Sequence, residues 1–204
     1  VKSLDAHSKL LRLSSASPIF QSSDAAAALG VSPPHARVIL LRLFRAGLLI
    51  HLKRGYWAIQ GKIDPLILPE HLTAPFPSYI SLQTALYYHG MISQIPEKTY
   101  AVSLSRTQEL KTPIGVFSIH HIQPSFFFGY ESKAMDIKIA TPEKALLDFL
   151  YLSPARSHLF HSLPELELPK SFSNKEAREM ISRLPAGRRR TLLERKFEGV
   201  LKNS

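Results

Sequence analysis

The 204-residue chain allows one large domain or two small ones. Hydrophobic residues at 45% and charged residues at 21% exclude a wholly disordered chain. Absence of cysteine excludes disulfides, thiolate zinc sites and cysteine nucleophiles. No apolar run approaches the roughly 20 residues that span a bilayer, and the start, Val1 to Ala6, has no uninterrupted apolar stretch of the kind a signal peptide carries. The expectation is a soluble, cytoplasmic protein without membrane contact.

Net charge is +10, and its distribution says more than its size. Residues 1–62 carry +7, residues 63–170 carry −2 and residues 171–204 carry +5. Two basic ends flanking a slightly acidic middle suit a polyanionic partner, because neutralising phosphates releases counterions. A solvated lysine- and arginine-rich surface is the plain alternative.

Along the first sixty residues, Leu4, Leu10, Leu11 and Leu13 predict an amphipathic helix that ends near Ser14–Pro18. Ser22, Ser23 and Asp24 offer N-caps for a short alanine-rich helix halted by Gly30. Ser32 caps a third helix with Pro33 at its first position, and that helix stops at Gly47. Ala36, Ile39, Leu40, Leu43 and Phe44 mark its buried stripe; His35, Arg37, Val38 and Arg42 fall on or near the other side. Residues 48–52 and 56–59 predict a hairpin, turned at Lys53-Arg54-Gly55.

Three helices followed by a basic hairpin is the order of a winged helix-turn-helix, whose third helix enters the major groove. The expected DNA contacts are Ser32, His35, Arg37, Val38 and Arg42 from that helix and Lys53, Arg54 and Tyr56 from the hairpin. Tyr56 serves equally well as a structural aromatic. Trp57, the single tryptophan, is expected to pack the hairpin onto the helices.

Pro65, Pro69, Pro75 and Pro77 predict a proline-rich linker over 63–78, between a DNA-binding domain at 1–62 and an α+β domain at 79–204. Beyond it, residues 81–90 read as a helix capped by Ser81. Residues 99–104, 116–122 and 137–140 read as strands. Thr141 caps a helix with Pro142 first and Ala145, Leu146, Phe149 and Leu150 inward. The fold class expected is α+β: a winged helix-turn-helix, then a mixed domain with a small sheet and terminal helices.

Several chemical constellations are weak. His120 and His121 adjoin in one strand and point to opposite faces. His158 and His161 lack a third ligand nearby in sequence. Asp136-Ile137-Lys138 has the acid-x-lysine spacing of some nuclease sites but no upstream partner. Phosphate-binding loops, the G-x-S-x-G elbow and a nucleotidyltransferase signature are absent. Phe126-Phe127-Phe128 suits core and sheet edge. The expectation is no catalytic residue, no metal and no cofactor.

In the tail, Ser173 to Glu176 forms a capping box leading into a helix through Arg183. Arg188, Arg189 and Arg190 open a last helix to Leu201. Arginines there oppose the helix dipole, so a phosphate would relieve the conflict; local pairing with Glu194 is the alternative.

The helix segment Tyr79-Ile80-Ser81-Leu82-Gln83-Thr84-Ala85-Leu86-Tyr87-Tyr88-His89-Gly90 resembles a signature of the AbiEi antitoxins and related predicted regulators of viral defence. So do Phe127-Phe128-Gly129 and Ile139-Ala140-Thr141-Pro142-Glu143-Lys144-Ala145-Leu146-Leu147-Asp148. The likeness covers nearly the whole chain and is tightest over 79–152. It implies a repressor that binds inverted repeats in double-stranded DNA at its own promoter. It further implies the antitoxin role in a type IV toxin–antitoxin phage-defence operon, with a nucleotidyltransferase-like toxin as functional partner and no stable complex. No chemical role for Glu143, Lys144 or Asp148 comes with it; Lys144 and Asp148, four apart, read as a structural pair. The competing readings are an orphan winged-helix regulator responsive to a ligand or partner, and a nucleic-acid-processing enzyme.

Overall fold

Leucine and alanine spaced by four residues set the first helix. α1 (Ser3–Ala16) buries Ala6 and Leu10 on one face and leaves Leu4 and Leu11 in solvent. The computed structural model describes residues 3–61, 63–153 and 166–203. After α1 come β1 (Ile19–Gln21), α2 (Ser22–Leu29), α3 (Pro33–Arg45), β2 (Leu49–Lys53) and β3 (Tyr56–Ile59). The strands form an antiparallel sheet in the order β1-β3-β2, with Phe20 opposite Trp57 and Ile50 opposite Ala58. A core of Ala6, Leu10, Phe20, Ala25, Leu29, Ile39, Leu40, Leu43, Leu49 and Trp57 joins the three helices to the sheet.

Three details differ from the sequence reading. Strand β1 was not anticipated. The cap of α2 is Gln21, not a serine, and the Asp24 carboxylate accepts the Gln21 N–H at 2.8 Å. Phe44, expected in the buried stripe, is 43% exposed and lies edge-on to His51 and Trp57.

The chain divides into two units, Val1–Pro65 with Lys111–Gly115, and Leu66–Leu110 with Val116–Ser204. The stretch expected as a linker is ordered structure: a 3-10 turn at Pro65–Ile67, then α4 (Leu68–Thr73), which buries Leu68, Pro69 and Leu72. Pro65 and Pro69 stand in the first turns of these short helices, where a missing N–H costs nothing. Further along are β4 (Ser78–Ile80), α5 (Leu82–Tyr88), β5 (Thr99–Ser103), β6 (Gln108–Thr112), β7 (Gly115–His121), β8 (Tyr130–Ser132) and β9 (Lys138–Ala140). These strands form a mixed six-stranded sheet in the order β6-β7-β5-β4-β9-β8, with β5–β7 and β4–β9 parallel. The sequence had offered only β5, β7 and β9.

Helix α6 (Pro142–Leu152) is buried on every side from Glu143 to Leu152 and is the centre of the second unit. Its N-terminus matches expectation: Thr141 Oγ1 accepts the Lys144 N–H, and Pro142 stands first. Helices α7 (Asn174–Ser182) and α8 (Arg188–Asn203) complete the second unit. Ser173 caps α7 by accepting the Glu176 N–H at 3.2 Å, but the Ser173 N–H donates to Glu143 of α6 at 2.8 Å, so the reciprocal half of the expected box comes from another helix. Ser81 precedes α5 without capping it; its hydroxyl donates instead to Asp148 at 2.7 Å. No helix among the described residues is long and apolar enough to cross a membrane.

Candidate nucleic-acid interface

Between Asp24 and Asp64 the sequence holds no acidic residue, while Arg37, Arg42, Arg45, Lys53, Arg54 and Lys62 lie within that span. α3 and the hairpin tip therefore carry cations with no carboxylate of their own segment to neutralise them. Among the described residues, Arg37, Arg42, Arg45 and Arg54 are exposed and make no ion pair. An unneutralised cluster of this kind raises the local potential for an anionic ligand.

α3 turns Ala36, Ile39, Leu40 and Leu43 into the core. Three- and four-residue spacing puts Pro34, Val38, Arg42 and Arg45 outward, with His35 and Arg37 to either side. Ser32, His35, Arg37, Val38 and Arg42 are all exposed, Val38 by 45%. Arg45 belongs with them and was missed, although its spacing of three from Arg42 and seven from Val38 was visible.

The start of α3 is unusual in its donors. Ser32 is the N-cap, but its hydroxyl makes no capping bond, and Pro33 and Pro34 supply no N–H. Of the first three helical residues only His35 offers a backbone donor. An anion at this end of α3 would meet side-chain donors rather than a row of backbone N–H groups.

The hairpin is fixed from behind. Gly55, at φ +83°, makes the turn, and its carbonyl accepts the Ser22 N–H at 2.9 Å. The Trp57 indole N–H donates to Ser22 Oγ at 2.9 Å, and Trp57 is 4% exposed, packing the hairpin onto the helices as expected. Arg54 projects from the tip. Lys53 is half-buried over the Tyr56 ring, 4.3 Å from its centre, and burial holds its ammonium pKa below the usual lysine value. Lys53 and Tyr56 thus brace one another, which leaves Arg54 as the tip's outward cation.

In the second unit the three arginines expected to act together are held differently. Arg190 is bound by Glu194 at 2.9 Å and reaches the Ser182 carbonyl at 3.3 Å, the local pairing considered from sequence. Arg189 lies over the Tyr151 ring at 4.0 Å. Arg188 is exposed and makes no ion pair among the described residues.

The segments that carry the AbiEi resemblance meet around one buried charge pair. Lys144 and Asp148 are fully enclosed and paired. Asp148 also accepts from the Tyr79 hydroxyl at 2.9 Å and from Ser81, while the Lys144 ammonium lies 3.6 Å from the centre of the Phe126 ring. Burial pushes the Lys144 pKa down and the Asp148 pKa up, each resisted by the opposite charge. The pair lies in the interior, with both side chains closed off from solvent.

The weaker constellations are accounted for in place. His120 is buried and bonded to Ser118 Oγ at 2.9 Å, and His121 is exposed with Nδ1 3.0 Å from the Ser105 carbonyl. Lys138 pairs with Glu70 at 2.8 Å, and Asp136 is exposed. His158 and His161 lie outside the described residues. Among the described residues no group of three His, Asp or Glu is placed to hold a metal ion. Comparison with protein-family models and with curated proteins finds no match.

Proposed function

We propose that the first unit is a winged helix-turn-helix that binds duplex DNA, with α3 in the major groove and the β2–β3 tip on the neighbouring backbone. The observation that carries this is that Arg37, Arg42, Arg45 and Arg54 are exposed, lie in a stretch of sequence without an acidic residue and make no ion pair among the described residues. It is supported by the order α1-β1-α2-α3-β2-β3 and the antiparallel sheet behind it. Arg37 and Arg42 read base edges or adjacent phosphates, and Arg54 contacts phosphate or the minor groove.

The protein is a non-enzymatic, cytoplasmic repressor of its own promoter and the antitoxin of a type IV toxin–antitoxin pair of AbiEi kind. The toxin half of this reading rests on the sequence resemblance. The full burial of Lys144 and Asp148 supports a structural role for that pair.

Two measurements test the proposal. Nuclease footprinting upstream of the reading frame should reveal protected inverted repeats. The antitoxin reading requires a nucleotidyltransferase-like toxin gene beside the reading frame, and co-expression with that toxin should restore growth. Protection without rescue supports the orphan regulator, and the absence of both protection and rescue overturns the proposal.

A further inference from the structure

Between α3 and the hairpin lies a cleft of about 480 Å³, whose lining includes Pro33, Arg37, Leu41, His51, Arg54 and Trp57. Its volume is within the roughly 300–1,000 Å³ of sites for small organic ligands. Its chemistry is divided. Pro33, Leu41 and the Trp57 indole give apolar walls, whereas Arg37 and Arg54 bring two guanidinium groups that make no ion pair among the described residues. The floor is rigid: Trp57 is held by Ser22 at 2.9 Å, its ring centre lies 4.4 Å from that of His51, and Phe44 packs edge-on against both. Preorganised walls lower the ordering cost of binding.

We propose that this cleft is a binding site for an organic phosphate of nucleoside-monophosphate size, with its flat body on Pro33, Leu41 and His51 and its phosphate on Arg37 and Arg54. Two planar guanidiniums suit a phosphate dianion, since each offers paired donors in a fixed fork. The apolar walls favour a ligand with a ring over bare phosphate. The consequence for regulation rests on the DNA-binding reading above: Arg37 and Arg54 also belong to the DNA face, so a filled cleft and bound duplex exclude one another.

Trp57 is the single tryptophan and forms part of the cleft, so the protein's tryptophan fluorescence arises at this site. The test titrates the full chain with deoxyadenosine monophosphate, inorganic phosphate and deoxyadenosine in turn, then repeats the nucleotide titration with labelled promoter duplex present. Expected are a saturable Trp57 signal with the nucleotide, binding about ten-fold weaker for the phosphate and the nucleoside alone, and release of the duplex. Arg37→Gln and Arg54→Gln, both at exposed positions, should each weaken nucleotide binding about ten-fold, and Arg12→Gln on α1 should not change it.

A signal that does not saturate, or that persists in both cleft variants, overturns the site. So does a Trp57 response to duplex with none to the nucleotide, which would mean that strand backbone fills the cleft. Nucleotide binding without duplex release overturns the mutual exclusion. Nucleotide binding by a protein that binds no duplex upholds the site and defeats the DNA reading, so the two fail separately.

Discussion

Lys144 and Asp148, one turn apart on α6, share an ion pair from which solvent is wholly excluded, with both side chains 0% exposed. Tyr79 and Ser81 donate to the same carboxylate, and Phe126 faces the ammonium. Removing one partner strands the other in the interior. Lys144→Met should therefore cost about 3–5 kcal/mol in urea unfolding, whereas an exposed helix pair would cost well under 1. A loss below 1 kcal/mol would mean that the pair is solvated in solution.

Gly129 lets the chain pass over that lysine. Its φ is +75°, and a Cβ added there would stand 3.0 Å from Cγ and 3.1 Å from Cβ and Cδ of Lys144. Gly129→Ala combines left-handed backbone strain with this contact and should lower stability by about 2–3 kcal/mol. Gly30→Ala has comparable backbone strain but open space around it, and should cost less. Thermal midpoints of the two variants decide the comparison.

The helices of the first unit were legible because their buried stripes repeat every three to four residues and Gly30 and Gly47 punctuate them. β1, β4, β6 and β8 were not. Three of these are only three residues long, and β6 alternates weakly, so neither period stands out. The outward cations of α3 followed from the same periodicity that gave its core. What periodicity cannot give is tertiary partnership: the half-burial of Lys53 on Tyr56, the Glu143 bond to Ser173 and the enclosure of Lys144 all depend on residues distant in sequence or on surrounding packing. Prolines misled over 63–78, since a proline that opens a short helix and one in a linker are alike in sequence.

His120 makes stability depend on pH. Burial lowers its pKa from 6.5 to about 4. The unfolded chain therefore takes up this proton first as pH falls, and stability is lost between about pH 6.5 and 4, amounting to about 3 kcal/mol once both values are passed. Comparison of urea midpoints at pH 7 and pH 4.5 should show a smaller decline for His120→Gln than for the wild type. Equal declines would place the proton elsewhere.

The arginines of α8 should separate by salt dependence. Arg188 has no ion-pair partner among the described residues, whereas Arg190 is held by Glu194. If α8 touches DNA, Arg188→Ala should reduce the slope of log K against log salt by about 0.9, the effect of one phosphate contact. Arg190→Ala should leave the slope unchanged. No change with either variant makes the helix structural.

In the proposed function α3 and the hairpin grip duplex DNA through side chains, a claim for which the decisive measurement is fluorescence anisotropy with the protein's own promoter. Arg37→Ala with Arg42→Ala should weaken binding at least ten-fold at fixed salt, each lost contact costing about 1–3 kcal/mol, with the fold intact by circular dichroism. Wild-type affinity retained by the double variant would contradict the claim.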